Sequence, residues 1–202
     1  RLAPLLRERG LLPFVDLAYQ GYGDGIDADA FGVRELARAG VTFFVANSFS
    51  KSMSLYGERA GALSVVCGSP AEAELVLGQM KATVRQNYSS PPLHAGAIVA
   101  RVLGDAALRA SWETDVAAMR QRILEMRRAL HAVLSRRLPN RSFDYFLTQR
   151  GMFSYTGMTP EQVERLREQH AVYILRSGRM CITGLRTTNV EQVAQAMAAV
   201  LA

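Results

Sequence analysis

The segment VTFFVANSFSKSMSLYGERAGALSVV, residues 41–66, decides the fold of this chain. Its first five residues are all β-branched or aromatic, which predicts a buried strand, and GALSVVC at residues 61–67 predicts another. Between the two strands, small hydroxyl side chains and two cations replace the apolar residues. Because α/β proteins bind their ligands where strands end, we expect a functional site in this loop.

A further strand and a helix precede this segment. LPFVDLA at residues 12–18 predicts a short strand, and DADAFGVRELARAG at residues 27–40 predicts a helix that ends at Gly40. The residues before them are typical of the last turn of a helix that leads into a strand. Strands that alternate with a helix indicate a parallel-type α/β sheet.

The chain becomes mainly helical after residue 68. SPAEAELVLGQMKATVRQNY at residues 69–88 has a serine at the N-cap, a proline at the first helical position and a glutamate at the capping-box position. The Ser-Ser-Pro-Pro run at residues 89–92 ends this helix. A long helix is predicted over about residues 105–138. Its apolar residues recur at helical spacing and predict one core-facing stripe: Met119, Ile123, Met126, Leu130, Val133 and Leu134.

The composition changes again after LPNR, residues 138–141, to an α+β pattern. One helix is predicted over residues 159–170, capped by Thr159 together with Gln162, and a last helix begins near Asn189. Four short strands are predicted around them: SFDYFLT (142–148), GMFSYTG (151–157), AVYIL (171–175) and RMCITG (179–184).

Charge and composition exclude several classes of protein. The net charge is +6 and the pI is near 9.7, yet basic residues alternate with acidic ones, as in RQRILEMRR at residues 120–128. This pattern predicts that most charged residues lie on solvated helix faces and that a few arginines bind anionic ligands. It does not predict a groove that binds nucleic acid. Since the sequence shows no apolar span of membrane length and no signal-peptide pattern, we expect no membrane association.

Cysteine and histidine usage indicates a reducing compartment and no metal centre. Cys67 and Cys181 lie in apolar runs without CxxC spacing, which predicts buried reduced thiols and favours the cytoplasm. Three histidines are too dispersed along the chain to predict a metal site: His94, His131 and His170.

The loop after the buried strand combines an amine with groups that bind phosphate. Lys51 carries an amine that can attack a carbonyl carbon, and Arg59 can donate two parallel hydrogen bonds to a phosphate. Ser48 and Ser50 add short hydroxyl donors, so the loop resembles a phosphate cradle with a nucleophile beside it. From spacing alone, a solvated loop lysine stays the alternative for Lys51.

Two residues at the end of the preceding strand complete a cofactor pattern. The Asp16 carboxylate can pair with a protonated ring nitrogen, and the Tyr19 phenol can hydrogen-bond a ring oxygen. Together with an amine and a phosphate cradle, these groups match the needs of pyridoxal 5'-phosphate (PLP), whose chemistry requires a protonated ring nitrogen. Asp16 as a helix cap or turn residue is the competing interpretation.

Five motifs resemble one known family. They are DLAYQGYGDG (16–25), NSFSKSMSLYGERAG (47–61), GQMKATVRQNYSSPP (78–92), QRGMFSYTGM (149–158) and SGRMCITGL (177–185). In order and spacing they resemble the class I (fold type I) PLP-dependent aminotransferases, most of all the bacterial aromatic-amino-acid (tyrosine) aminotransferases. The resemblance implies an α/β fold. Residues 1–104 would be the C-terminal portion of the PLP-binding large domain and its mainly parallel sheet, and residues 105–202 a small α+β domain with a long linking helix.

The resemblance implies a role for each candidate residue around the cofactor. Lys51 would bind PLP covalently and move the substrate proton, Asp16 would keep the pyridine nitrogen protonated, and Tyr19 would hydrogen-bond the ring hydroxyl. The phosphate would be bound by three residues: Ser48, Ser50 and Arg59.

The resemblance also implies a substrate site. Arg179 would bind the substrate α-carboxylate through two parallel hydrogen bonds, and Phe153 would line the pocket. Arg85 would reach into the site of the neighbouring subunit of a homodimer and meet a side-chain carboxylate. The alternatives are a surface charge for Arg179, a solvated helix-end arginine for Arg85 and a core residue for Phe153.

The function that the resemblance implies is amino-group transfer from tyrosine or phenylalanine to 2-oxoglutarate. An aspartate aminotransferase is the alternative enzyme, and the effector domain of a transcription regulator is an alternative of another class. A complete member of the family has a further N-terminal half with the rest of the active site. We therefore expect the 202-residue chain to be part of an enzyme, to expose apolar surface and to be inactive alone.

Overall fold

The buried strand predicted from VTFFV is the central strand of a three-stranded sheet. In a computed structural model that describes residues 2–202, the sheet has the order β1 (Phe14–Leu17), β2 (Phe43–Ser48), β3 (Gly61–Val66). Strands β1 and β2 are parallel, whereas β2 and β3 are antiparallel. The β2–β3 pair departs from the parallel expectation because no crossover helix lies between the two strands. The described sheet is therefore mixed.

Alternation of side chains fixes which face of β2 is buried. Phe43 and Val45 are buried, together with Val41 just before the strand, while Phe44 between them is only half-buried. Side chains in a strand alternate between the two faces, so one face of β2 packs into the small core of this part of the chain. That core also includes Leu6 and Leu36.

Five helices accompany this sheet: α1 (Leu2–Glu8), α2 (Ile26–Asp29), α3 (Phe31–Arg38), α4 (Pro70–Tyr88) and α5 (His94–Gly104). The single helix predicted over residues 27–40 is divided into α2 and α3, since Ala30 has φ −83° and ψ 4°, outside the helical region. Gly40 has φ +66° and follows α3, which agrees with its predicted role at the end of the helix.

Helix α4 begins as predicted but is not buried. The Glu72 N–H donates to Ser69 Oγ over 3.2 Å, whereas the Glu72 carboxylate accepts from the Gly68 N–H over 2.8 Å, so the reciprocal bond of a capping box to the N-cap residue is not formed. No side chain of α4 is buried, and Leu75 is 74% exposed. The predicted exposure of apolar surface is seen here.

The second half of the chain begins inside a long helix. Helix α6 (Ala106–Arg137) is followed by α7 (Tyr145–Thr148), β4 (Phe153–Tyr155), α8 (Pro160–His170), β5 (Arg179–Cys181), a 3-10 turn (Ile182–Gly184) and α9 (Val190–Leu201). The described chain forms two compact units, residues 2–21 with 25–116, and residues 22–24 with 117–202. The division lies within α6, and the assignment of residues 1–104 and 105–202 to two functional domains stays a prediction.

The apolar stripe of α6 packs into the core of the second unit, as its helical spacing predicts. Ile123, Leu130 and Leu134 are buried there, together with Phe143 and Phe146. The capping box of α8 is complete: the Gln162 N–H donates to Thr159 Oγ1, and the Thr159 N–H donates to Gln162 Oε1.

Two predicted strands of this unit do not form. SFDYFLT contains the short helix α7, because Phe143 and Phe146 are three residues apart and enter the same core from one side of a turn. Residues 171–175 pair with no described strand. Ala171 adopts a left-handed conformation at the end of α8, and Tyr173 is 76% exposed, so this segment leaves the core instead of entering a sheet.

Both cysteines are free thiols, but the prediction of burial is wrong for Cys181, which is exposed; Cys67 is half-buried. Cys181 ends the edge strand β5 with its side chain away from the core-facing Met180. Within residues 2–202, no helix is long and apolar enough to cross a membrane.

Candidate active site

Lys51 lies immediately after the buried central strand, where its amine faces two aromatic rings. The Lys51 Nζ atom is 4.7 Å from the centre of the Tyr19 ring and 5.1 Å from that of the Tyr56 ring. The lysine is half-buried, and its carbonyl accepts a hydrogen bond from the Ser54 N–H in a tight turn. The structure therefore brings together two of the predicted site residues, Lys51 and Tyr19, although they are far apart in sequence.

The serines of this loop are placed at the strand exit. Ser48 is the last residue of β2, and its Oγ accepts a hydrogen bond from the Ser50 N–H over 3.2 Å. Ser50 is only 5% exposed. A buried hydroxyl with an adjacent backbone turn is a compact donor group of the kind that a phosphate needs.

Arg59 closes the loop in an unusual backbone conformation. It is exposed, donates to the Tyr56 carbonyl over 3.0 Å and has φ +57°; Ser54 has φ +55°. Left-handed conformations at residues other than glycine are uncommon and cluster at ligand sites. Gly61 begins the return strand where a Cβ would lie 2.8 Å from the Asn47 carbonyl oxygen, so only glycine fits.

Asp16 lies inside β1, opposite Ala46 of β2, and its side chain is exposed. Because β1 and β2 are parallel, Asp16 and Ser48 lie near the same end of the sheet. Among residues 2–202, no hydrogen bond or ion pair involves the Asp16 carboxylate. The alternative of a helix cap is wrong, since a cap accepts a hydrogen bond from a helical N–H.

A residue that the sequence did not single out anchors the lysine turn. The Trp112 Nε1–H donates to the Ser52 carbonyl over 2.6 Å, which ties α6 to the residue directly after Lys51. Tyr56 was also missed, although it stands between Lys51 and Arg59 in the loop. Trp112 is the only tryptophan in the sequence, which could have marked it as a candidate, but no local sequence pattern connects it to this loop.

Two predicted substrate residues meet in the second unit. The guanidinium of Arg179, on β5, lies 5.0 Å from the centre of the Phe153 ring, on the neighbouring strand β4. Arg179 is exposed and Phe153 is half-buried, so the interpretation of Phe153 as a simple core residue does not describe its position. Arg85 belongs to the first unit, in the last turn of α4, where it donates to Ser89 Oγ over 2.7 Å.

One arginine of α6 contradicts the sequence-based prediction of solvated helix faces. Arg127, within RQRILEMRR, is 1% exposed and donates to acceptors around β4. Its burial lowers the pKa of the guanidinium, and the nearby charge of Arg150 acts in the same direction.

The chain matches one protein family over nearly its whole length. The family model for aminotransferase class I and II covers residues 1–197. This chain belongs to the class I and II aminotransferases. The family resemblance deduced from the five motifs is therefore confirmed, and so is the predicted fold class, that of the fold type I transferases.

Known aminotransferases that are similar to this chain include both substrate classes. An aromatic-amino-acid aminotransferase of Escherichia coli (strain K12) is 57% identical over 98% of this chain and 50% of its own length. An aspartate aminotransferase of Pseudomonas aeruginosa is 47% identical over the same shares, 98% and 50%. A crystal structure of the aromatic-amino-acid aminotransferase from Burkholderia pseudomallei, covalently bound to pyridoxal phosphate, superposes with a TM-score of 0.97 at 50% identity, covering 100% of this chain and 50% of that one.

The chain thus spans about half the length of the aminotransferases that it matches. An open apolar groove between β2, β3 and α4 lies in the first unit, lined by Phe44, Leu63, Leu75, Met80 and Tyr88. Apolar surface of this kind is what a half-length member of a larger fold is expected to leave uncovered.

Proposed function

We propose that the complete protein that carries this chain is a PLP-dependent aminotransferase that transfers the amino group of tyrosine or phenylalanine to 2-oxoglutarate. One observation carries the proposal: the Lys51 amine, directly after the central strand, lies 4.7 Å from the centre of the Tyr19 ring, and the adjacent residue Ser50 is buried. In this proposal, residues 1–104 belong to the large cofactor domain and residues 105–202 to the small domain. The protein acts as a cytoplasmic homodimer with shared active sites.

The chemistry of the donor set fits PLP. The cofactor needs an amine for its aldehyde, hydroxyl and cationic donors for its phosphate, and a carboxylate for its ring nitrogen. Lys51, Ser48, Ser50 and Arg59 supply the first two from one short loop, and Asp16 supplies a carboxylate that no described residue neutralises. When bound, PLP supplies the electron sink that stabilises negative charge at the substrate α-carbon.

Each of these residues then has a distinct task. Lys51 would hold the cofactor covalently through its amine, and the same amine would move a proton at the substrate α-carbon as a general base and acid. The negative charge of Asp16 favours a protonated ring nitrogen, and the Tyr19 phenol hydrogen-bonds the ring oxygen. The loop hydroxyls and Arg59 fix the phosphate and thereby the position of the ring.

The second unit supplies the binding of the substrate. Arg179 presents five N–H donors in a planar fork that matches the geometry of an α-carboxylate. Phe153, against which that guanidinium lies, offers an apolar surface to the side chain of an aromatic substrate. The substrates are therefore amino acids and 2-oxo acids.

The preference for aromatic substrates rests on similarity. The relative named for aromatic amino acids is 57% identical and the one named for aspartate is 47% identical. An aspartate aminotransferase is the second candidate, because the same cofactor residues serve both enzymes. A higher kcat/KM for tyrosine than for aspartate supports the proposal, and the reverse order supports the alternative.

Arg85 is expected to distinguish the two classes of substrate. In the complete protein, Arg85→Ala should lower kcat/KM for aspartate and 2-oxoglutarate by about 100-fold, since a charge-assisted hydrogen bond to the side-chain carboxylate is lost. The kcat/KM for phenylalanine should change by less than about 3-fold, because its ring makes no such bond. Arg101→Ala, an exposed arginine on α5, is the matched control. Equal losses for both substrates would contradict this role.

The proposal is tested by covalent capture of the cofactor. The chain has only two lysines, Lys51 and Lys81, so incubation with PLP, reduction with borohydride and peptide mass spectrometry distinguish the sites without ambiguity. We expect a pyridoxyl adduct on Lys51 and none on Lys81, which is exposed on α4. An adduct that forms only in the complete protein means that its other half is needed to bind PLP. No Lys51 adduct in either would overturn the proposal.

A further inference from the structure

Arg127 is a buried charged residue whose partners all lie in one segment of the chain. It projects from α6 among the apolar residues of the core stripe and is 1% exposed. Its Nη1 donates to Ser154 Oγ over 2.6 Å and to the Phe146 carbonyl over 3.3 Å. Its Nη2 donates to the carbonyls of Phe153 and Gly151 over 2.7 and 2.8 Å.

The buried charge of Arg127 is costly for the fold. A buried cation loses its hydration, and a carboxylate partner is the usual compensation. Among residues 2–202, no carboxylate forms an ion pair with Arg127, and its Nε atom has no hydrogen-bond partner. An apolar residue would avoid that loss of hydration, but it would leave the four acceptors in residues 146–154 without this donor. The four hydrogen bonds to residues 146–154 are therefore the feature that distinguishes arginine from an apolar residue here.

The segment that Arg127 holds carries one wall of the candidate substrate site. The Phe153 carbonyl accepts from Arg127, and the Phe153 ring lies 5.0 Å from the Arg179 guanidinium. The same guanidinium also contacts the residues on both sides of that ring, through the Gly151 carbonyl and the Ser154 hydroxyl. Gly151 has φ +77°, a left-handed conformation that glycine adopts without strain, in the turn that leads into β4.

We propose that Arg127 is a positioning residue for the substrate site, which holds the Phe153 ring beside Arg179 through the carbonyls of Gly151 and Phe153 and the hydroxyl of Ser154. This inference rests on the proposed function, in which Arg179 binds the substrate α-carboxylate. Arg127 acts through Phe153 and does not itself touch the substrate. Lysine cannot replace it, because one ammonium group cannot reach both ends of the segment in the plane of a guanidinium fork.

The first test is a split between substrate binding and turnover in the complete protein. Arg127→Lys should raise KM for phenylalanine and the dissociation constant of 3-phenylpropionate about 10-fold, with kcat reduced by less than about 3-fold. The acid 3-phenylpropionate has the ring and carboxylate of the substrate but no amino group, so it reports binding alone. Arg128→Lys, the exposed neighbour on α6, should leave both constants unchanged.

The second test asks whether the effect passes through Phe153. In a Phe153→Leu background, Arg127→Lys should change the 3-phenylpropionate dissociation constant by less than about 2-fold, since the ring to be positioned is absent. A ring-independent loss of stability would instead give the same factor in both backgrounds. Such additivity would overturn the inference.

The outcomes separate this inference from the proposed function. If the unsubstituted protein neither transaminates phenylalanine nor binds 3-phenylpropionate, the proposed function fails and the inference fails with it. If it does both and Arg127→Lys behaves like Arg128→Lys, only the inference is overturned. If Arg127→Lys prevents folding, Ser154→Ala replaces it as the test, because this variant removes one acceptor of the same guanidinium. Ser154→Ala should raise the dissociation constant of 3-phenylpropionate about 3-fold. An unchanged constant would overturn the inference.

Discussion

Replacement of Lys51 by alanine in the complete protein is expected to abolish transamination. In the proposed function, Lys51 supplies both the amine that binds PLP and the base that moves the α-proton, and the loss of general acid–base catalysis alone lowers rates by about 10²- to 10⁴-fold. With both roles removed, kcat/KM for phenylalanine should fall by at least about 10⁴-fold. Steady-state transamination and single-turnover formation of the 2-oxo acid measure the effect.

The only other lysine of the chain provides the control. Lys81 lies on the exposed surface of α4, and Lys81→Ala should leave kcat/KM within about 2-fold of the unsubstituted protein. Lys51→Arg keeps a positive charge between the two tyrosine rings but cannot form the covalent link, so it should be as inactive as Lys51→Ala. If Lys51→Arg retained substantial activity, Lys51 would act as a charge and not as a nucleophile.

Local patterns predicted the elements around the lysine loop well. The run from Val41 to Val45 has only β-branched and aromatic residues, and it precedes and enters the central strand β2. The N-cap of α4 at Ser69 and the capping box of α8 at Thr159 depend on contacts within one turn, so neighbouring residues are enough to predict them.

Elements that depend on distant packing were not predicted. The segment SFDYFLT was expected to be a strand because it is rich in aromatic residues, yet it contains the helix α7. Phe143 and Phe146 enter the core of the second unit at a spacing that suits a turn of helix. The direction of β3 was also not predictable from apolar pattern alone, since a strand has the same alternation in either direction.

The same distinction applies to the candidate site. The serines and Lys51 lie together in one loop, so their proximity could be predicted from the sequence, while their chemical roles stay a prediction. The contact between Trp112 and the Ser52 carbonyl joins residues that are 60 positions apart, and the bonds of Arg127 span 19 to 27 positions. No local pattern separates Arg127 from the exposed arginines around it, because its burial is decided by the position of β4.

In the proposed function, Arg179 binds the α-carboxylate that both amino acids share. Arg179→Ala in the complete protein is therefore expected to lower kcat/KM for phenylalanine and for aspartate alike, by about 10³-fold. Most of the loss should appear in KM, since the carboxylate is bound in the ground state as well as in the transition state. This common loss contrasts with Arg85→Ala, which should affect only the dicarboxylic substrates.

Partial recovery by lysine tests the geometry of this contact. Arg179→Lys restores a positive charge but not the two parallel hydrogen bonds of a guanidinium. Its kcat/KM should therefore be about 10-fold higher than that of Arg179→Ala and stay below that of the unsubstituted protein. Arg176→Lys and Arg176→Ala, at an exposed arginine just before β5, are the matched controls and should change kcat/KM by less than about 2-fold. Full activity of Arg179→Lys would mean that charge alone binds the carboxylate. A different outcome is that both Arg179 variants lower turnover of aromatic substrates and leave turnover of aspartate unchanged. Arg179 would then contact the side chain of the substrate, and its assignment to the α-carboxylate would be wrong.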